Sequence, residues 1–181
     1  VSKRLELRDL PSYTDDRGIL TPVWNDWSRG DDDQYEGLRV SGANAKTCAG
    51  IDLDDVKRVY FINNSQKGVV RGFHFHNHET KYFVVLRGMA KFVAVRATGT
   101  EQIGDEPEKH TFDENNVDAF VLTERKPQML IIPPGYANGW VSLTDDCLLL
   151  SLSSSTFDQS KGDDFRYPPD LFGDVWSVEP R

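Results

Sequence analysis

From Asp55 to Leu152 the chain reads as a succession of short runs of alternating apolar and polar residues, each closed by a turn signal. A period of two belongs to strands, whose side chains point to opposite faces in turn. Many short strands at close spacing confine the fold to a sandwich or a barrel. The runs are Asp55–Ile62, Val69–His76, Lys81–Leu86, Met89–Ala97, Asp118–Leu122, Gln128–Ile132, Trp140–Leu143 and Cys147–Leu152. Asn63-Asn-Ser65, Arg87-Gly88 and Pro133-Pro-Gly135 supply turns between them. Upstream, Leu5–Leu7 and Ile19–Trp24 flank the turn Asp15-Asp-Arg-Gly18. Leu148-Leu-Leu-Ser-Leu152 is apolar on both faces, as a strand covered on both sides would be. Residues 25–50, rich in Asp, Gly, Asn and Ser, read as a surface excursion with room for a short helix, and 99–117 as one long polar loop. No long amphipathic helix and no internal repeat is expected.

Bulk properties narrow the function. At 181 residues one domain with a real core is the simplest organisation. A net charge of −8 argues against non-specific binding to nucleic acid or to membranes. No apolar run approaches the ~18 residues of a membrane span, and no leader pattern opens the sequence. Cys48 and Cys147 do not make a disulfide framework, so a reducing cytoplasm is the expected compartment. An anionic ligand would need a local basic cluster, for which Lys67, Arg71, Lys81, Arg87 and Arg96 are the candidates.

Three of the four histidines fall within five residues, in Arg71-Gly-Phe-His-Phe-His-Asn-His78. On a strand, His74, His76 and His78 point one way and Phe73 and Phe75 the other. Imidazoles beside an arginine and a lysine suit proton transfer on an anionic substrate.

The spacing Gly68-x5-His74-x-His76-x4-Lys81-x6-Gly88 resembles the first cupin motif, in which a glutamate stands where this chain has Lys81. Pro133-Pro-Gly135-x2-Asn138 resembles the second, with asparagine in the histidine position. The resemblance implies an all-β double-stranded β-helix, the cupin jelly roll, as one domain over 1–181. Its core would span about 52–156, with an N-terminal extension and a C-terminal tail packed on it. Within the cupins, Lys67-Gly-Val-Val-Arg-Gly-Phe-His74, Lys81, Arg87-Gly88, Phe92–Val95 and Ile132–Trp140 are similar to the dTDP-4-dehydrorhamnose 3,5-epimerases, as Asp16-Arg-Gly18 and Asp170–Trp176 are more weakly. Val56-Lys-Arg-Val-Tyr-Phe-Ile62 followed by the His74-x-His76 pair is similar to the nucleotide-sugar 3,4-ketoisomerases.

Lys81 repels a divalent cation and an amide replaces imidazole poorly, so no metal and no cofactor is expected. His74, His76 and His78 on a straight strand would also spread over ~13 Å, too far for one coordination sphere. The resemblance instead implies His74 as the base that takes a proton next to a sugar ketone, with Lys81 near the ketone oxygen and His76 as a further proton-transfer group. Arg71, Asn138, Tyr136 and Trp140 are the substrate-binding candidates. The implied partner is a nucleotide-diphosphate sugar bearing a 4-keto-6-deoxy hexose, and the implied assembly a homodimer. Three departures stand out. The tyrosine that faces the histidine in the epimerases falls at Leu150 or Ser151. The aspartate that orients the histidine falls near Arg166-Tyr167, just downstream of Asp163 and Asp164, and the second cupin histidine is Asn138. An epimerase, a 3,4-ketoisomerase and a non-catalytic sugar-nucleotide-binding cupin are therefore the three readings.

Overall fold

A computed structural model describes residues 4–10, 12–16, 18–23, 55–102 and 108–178. The excursion at 25–50 lies outside them, as do Arg17 of the early turn and Trp24 at the end of the run that follows it. Two five-stranded antiparallel sheets face each other. One is ordered β1 (Glu6–Asp9), β9 (Gln128–Ile132), β6 (Lys81–Arg87), β11 (Cys147–Ser153), β4 (Arg58–Asn64). The other is ordered β12 (Phe165–Arg166), β5 (Val70–Phe75), β10 (Tyr136–Ser142), β7 (Met89–Glu101), β8 (Lys109–Thr123). A hairpin of β2 (Tyr13–Asp15) and β3 (Gly18–Leu20) precedes them. This is the expected all-β jelly roll.

Apolar side chains fill three layers. Between the sheets lie Phe83, Val85, Phe92, Leu122, Leu130, Ile132, Trp140 and Leu149. The outer face of the first sheet buries Tyr82, Val84, Met129, Ile131 and Leu152 beneath Leu10, Val23 and Val56. The outer face of the second buries Phe73, Phe75, Val93, Val95 and Ala137 beneath Phe165, Tyr167, Phe172, Val175 and Trp176 of the C-terminal tail. Both faces of the central strands are therefore dry. That is why they read as apolar runs, each fully buried large side chain contributing roughly 1.5–3 kcal/mol.

One expectation is corrected. The polar stretch 99–117 is not one loop: β7 runs on to Glu101 and β8 begins at Lys109, the two pairing as a long hairpin. Exposed side chains on both arms hid this strand from a hydropathy reading. The excursion with room for a short helix lies outside the described residues; among them a short helix, α1 (Phe157–Lys161), follows β11. It is closed by a capping box, in which Gln159 N–H donates to the Thr156 hydroxyl and Thr156 N–H donates to the Gln159 side-chain oxygen.

One backbone contact sets the site. Gly72 on β5 and Gly139 on β10 lie so close that a Cβ on Gly139 would stand 2.7 Å from the Arg71 carbonyl oxygen and 2.9 Å from the Gly72 Cα. Gly139→Ala is expected to cost about 1–3 kcal/mol by overpacking. Gly162→Ala, whose nearest neighbour would be 3.7 Å away, should stay within about 0.5 kcal/mol of the wild type in urea denaturation.

Candidate functional site

The register between β5 and β10 carries the first element of the site. Asn138 pairs with His74 but Trp140 pairs with Arg71, so Gly72 and Phe73 together oppose Gly139 alone. This bulge inserts one residue and reverses the alternation. Arg71 and His74, three apart and destined for opposite faces of a regular strand, both face the cavity between the sheets. Phe73 and Phe75 remain buried behind them. The strand ends at Phe75, and His78 turns out to an exposed position, so of the two or three imidazoles expected on one face the cavity takes two, His74 and His76.

The cavity has a volume of about 730 Å³. β4 contributes Arg58, Tyr60 and Ile62, β6 contributes Lys81 and Phe83, and β10 contributes Asn138 and Trp140. Helix α1 and the segment after it close one side with Phe157, Lys161, Asp164 and Arg166. Of the expected basic cluster only Arg71 and Lys81 are here; Lys67, Arg87 and Arg96 are not in its wall, and Arg58, Lys161 and Arg166 take their place. Arg87 instead donates to the Asp146 carbonyl at the opposite end of β6.

Asp163 and Asp164 fix the two imidazoles. Asp163 accepts the backbone N–H groups of Asn77 and His78 at 2.9 and 2.8 Å, pinning the turn after β5. Its carbonyl accepts from His76 Nδ1 at 2.7 Å. That bond puts the His76 proton on Nδ1 and leaves Nε2 as an acceptor. Burial, with help from the Lys81 charge, holds the His76 pKa below the usual histidine value, so the ring is neutral at pH 7. Asp164 Oδ1 lies 3.0 Å from His74 Nδ1, and its Oδ2 accepts from Arg166 Nε at 3.0 Å. Partial burial acts to raise the Asp164 carboxyl, but the bonds from His74 and Arg166 outweigh it and bring its pKa down to about 2. His74 is thus an imidazole whose Nδ1 faces a carboxylate and whose Nε2 meets no hydrogen-bond partner among the described residues, the arrangement that orients a general base.

The opposite wall is cationic around a buried carboxylate. Glu79 is 1% exposed. Its Oε1 accepts from Lys81 Nζ at 2.5 Å, from Arg58 Nη2 at 2.9 Å and from the Ser153 hydroxyl. Burial pushes this carboxyl up, and the donors more than reverse the effect, leaving it ionised. Lys81 Nζ also lies 3.3 Å from the Tyr60 hydroxyl, and Arg58 sits 5.1 Å from the Tyr60 ring centre. Arg71 donates through Nε to Asn64 Oδ1 at 2.7 Å, which fixes the stem of its guanidinium. Asn138 donates to the His74 and Tyr136 carbonyls at 3.1 and 3.2 Å. Trp140 reaches the cavity from the central core, whereas Tyr136 packs against that core and is not in the cavity wall. Among the described residues no group of three or more His, Cys, Asp or Glu side chains converges as a metal site would.

The family profile described as dTDP-4-dehydrorhamnose 3,5-epimerase matches residues 36–176. The chain belongs to this epimerase family. No curated protein sequence matches it significantly. Solved structures similar in fold include the rmlC epimerase of Mycobacterium tuberculosis, 20% identical, with a TM-score of 0.65, covering 94% of this chain and 72% of that one. ChmJ, a 3'-monoepimerase from Streptomyces bikiniensis in complex with dTDP-quinovose, is 20% identical with a TM-score of 0.65, covering 98% and 78%. QdtA, a sugar 3,4-ketoisomerase from Thermoanaerobacterium thermosaccharolyticum in complex with TDP, is 22% identical with a TM-score of 0.59, covering 95% and 93%.

For an epimerase-family chain the site holds residues that the sequence did not single out. Tyr60, Arg58, Glu79, Phe157 and Lys161 were unmarked, and Asp164 was only a neighbour of the expected aspartate position. Alternation along Arg58-Val-Tyr-Phe-Ile62 was the available signal, since it sets Arg58, Tyr60 and Ile62 on one face with Val59 and Phe61 exposed on the other.

Asp164 has a consequence for stability. A carboxyl lowered from 3.8 to about 2 on folding stabilises the protein fully above its unfolded value and loses that contribution as pH falls through about 2. In urea denaturation from pH 6 down to pH 2, Asp164→Asn is expected to fall less steeply than the wild type. Parallel acid limbs in the two proteins would show that Asp164 is unpaired in solution.

Proposed function

We propose that the protein is an epimerase or isomerase of nucleotide-diphosphate sugars. It acts on a 4-keto-6-deoxy hexose by removing the proton from a carbon next to the ketone. The observation that carries this reading is His74, held at Nδ1 by Asp164 and open at Nε2 in a cavity whose other wall presents Lys81 and Tyr60. Nε2 takes the carbon-bound proton as the C–H electrons move into an enolate. The Lys81 ammonium stabilises the developing oxyanion in a site of low dielectric. Tyr60 is positioned to return a proton from the wall opposite His74, the work for which Leu150 and Ser151 are unsuited.

The charged mouth fits the nucleotide end. Arg71, restrained through Nε, keeps its terminal N–H groups for a diphosphate oxygen, and Lys161 and Arg166 line the same cavity. Two structurally similar proteins carry TDP or a dTDP sugar, which supports a thymidine diphosphate as the first nucleotide to test. Asn138 and Trp140 remain contacts for the sugar. Tyr136 lies behind the wall, so a role in binding would require it to act through Asn138.

The 3,4-ketoisomerase reading is favoured by one feature: His76 lines the same cavity, neutral and with Nε2 free to accept a proton. The two readings separate on product. A dTDP-linked 4-keto-6-deoxyglucose incubated in heavy water should exchange hydrogen at the carbons beside the ketone, and His74→Asn should lower that exchange about 100-fold or more. A ketone that stays at C4 in the NMR spectrum of the product identifies the epimerase, and one that moves to C3 the ketoisomerase. Binding without any exchange at high enzyme loading would leave only a non-catalytic sugar-nucleotide-binding protein.

A further inference from the structure

Resting on the functional reading above, we infer that Glu79 is a positioning residue for the reaction: one buried carboxylate that sets Lys81 through Oε1 and His76 through Oε2. The two oxygens are treated differently. Oε1 takes the donors of Lys81, Arg58 and Ser153. Oε2 is buried with no hydrogen bond and stands 3.4 Å from His76 Nδ1.

This arrangement is poorly explained by stability alone. A buried ion pair recovers little or nothing over apolar residues of the same size, and an unsatisfied buried oxygen is a net cost. Position accounts for both. Lys81 has a long, rotamer-rich stem, and its ammonium would otherwise sample the cavity. Glu79, two residues earlier in sequence and fixed at the bend between β5 and β6, anchors it where it also reaches Tyr60 at 3.3 Å. Arg58 is held by the same oxygen and by the Ser160 hydroxyl at 3.0 Å, which ties α1 to the wall. On the other side, a carboxylate facing Nδ1 reinforces the Nδ1–H tautomer that the Asp163 carbonyl selects. His76 therefore keeps its lone pair on Nε2, where it can accept a proton in the cavity. Glu79 touches no reacting atom. It determines the direction of the two groups that do their work beside His74.

The test is a cycle of substitutions read by exchange at the carbon next to the ketone. Glu79→Gln, nearly isosteric, is expected to lower kcat about tenfold or more with KM changed less than about threefold, and to add less than about threefold in a Lys81→Met background. In 15N spectra the His76 ring should pass from a single Nδ1–H tautomer to a mixture. Ser153→Ala, which removes only the hydroxyl on Oε1, serves if Glu79→Gln does not fold; it should show a smaller kcat loss with the same dependence on Lys81. A folded Glu79→Gln with wild-type kcat overturns the inference. So does a kcat loss undiminished in the Lys81→Met background, because it would then not act through Lys81. If the wild type itself shows no exchange, the functional reading fails instead, and the two failures are distinct.

Discussion

The pairing of β12 with β5 does two things at once. It lays Arg166 opposite His74 and Phe165 opposite Phe75, and it places Asp163 and Asp164, the residues immediately before it, against the two imidazoles. The geometry of His74 is therefore set by a segment about 90 residues away in sequence. That segment is in turn held by apolar burial of Phe172, Val175 and Trp176 on the outer face of the sheet, and Trp176 touches the Gly72–Gly139 contact at which the bulge forms. Packing outside the barrel and the placement of the two imidazoles inside it thus share one piece of backbone. Losing the tail would uncover Phe73 and release Asp164 together.

Electrostatics then work against the background of an acidic protein. The chain carries −8 overall, yet the cavity wall presents Arg58, Arg71, Lys81, Lys161 and Arg166 against Asp164. Glu79 sits behind that wall rather than in it. A concave, low-dielectric site concentrates the field of its own lining, so the local sign governs a small anion while the global sign discourages polyanions. Exposed charges elsewhere are screened within about 8–10 Å at ordinary salt.

The fold was legible where hydrophobic pattern and turn chemistry agreed. Gln128–Ile132 matches β9 as written, and Arg87-Gly88 turns as expected, with Gly88 at φ +82°. Asp118–Leu122 falls within β8, but the part of β8 before it was lost because an exposed hairpin arm needs no apolar alternation, and α1 because five residues show no period, although Thr156-x-x-Gln159 was a readable cap. His74, His76, Arg71, Lys81, Asn138 and Trp140 do converge on one cavity. What brings Arg71 onto the same face as His74 is the bulge, which one sequence reveals only as a glycine in a strand. His78, beyond the expected strand Val69–His76, lies exposed, as a loop residue would. The partners of the site, Tyr60, Glu79 and Asp164, come from three other segments, and only tertiary pairing brings them to the histidines.

The missing tyrosine shows how such a site can differ from its family without being empty. Of the two positions where that residue was expected, Ser151 pairs with Tyr60 on one side and Phe83 on the other. Residues directly opposite in a ladder share a face, and both of these rings line the cavity, so Ser151 points inward while Leu150 packs on the outer layer. Ser151 is fully buried and its hydroxyl has no partner among the described residues. A large side chain there would have to displace one of its two neighbours, since a packed interior absorbs an added ring only by moving what is already present. A small residue leaves the Tyr60 ring its place on β4. Under the proposed reaction Tyr60 is the phenol available on that wall, one strand over, on the same inward face and 3.3 Å from Lys81.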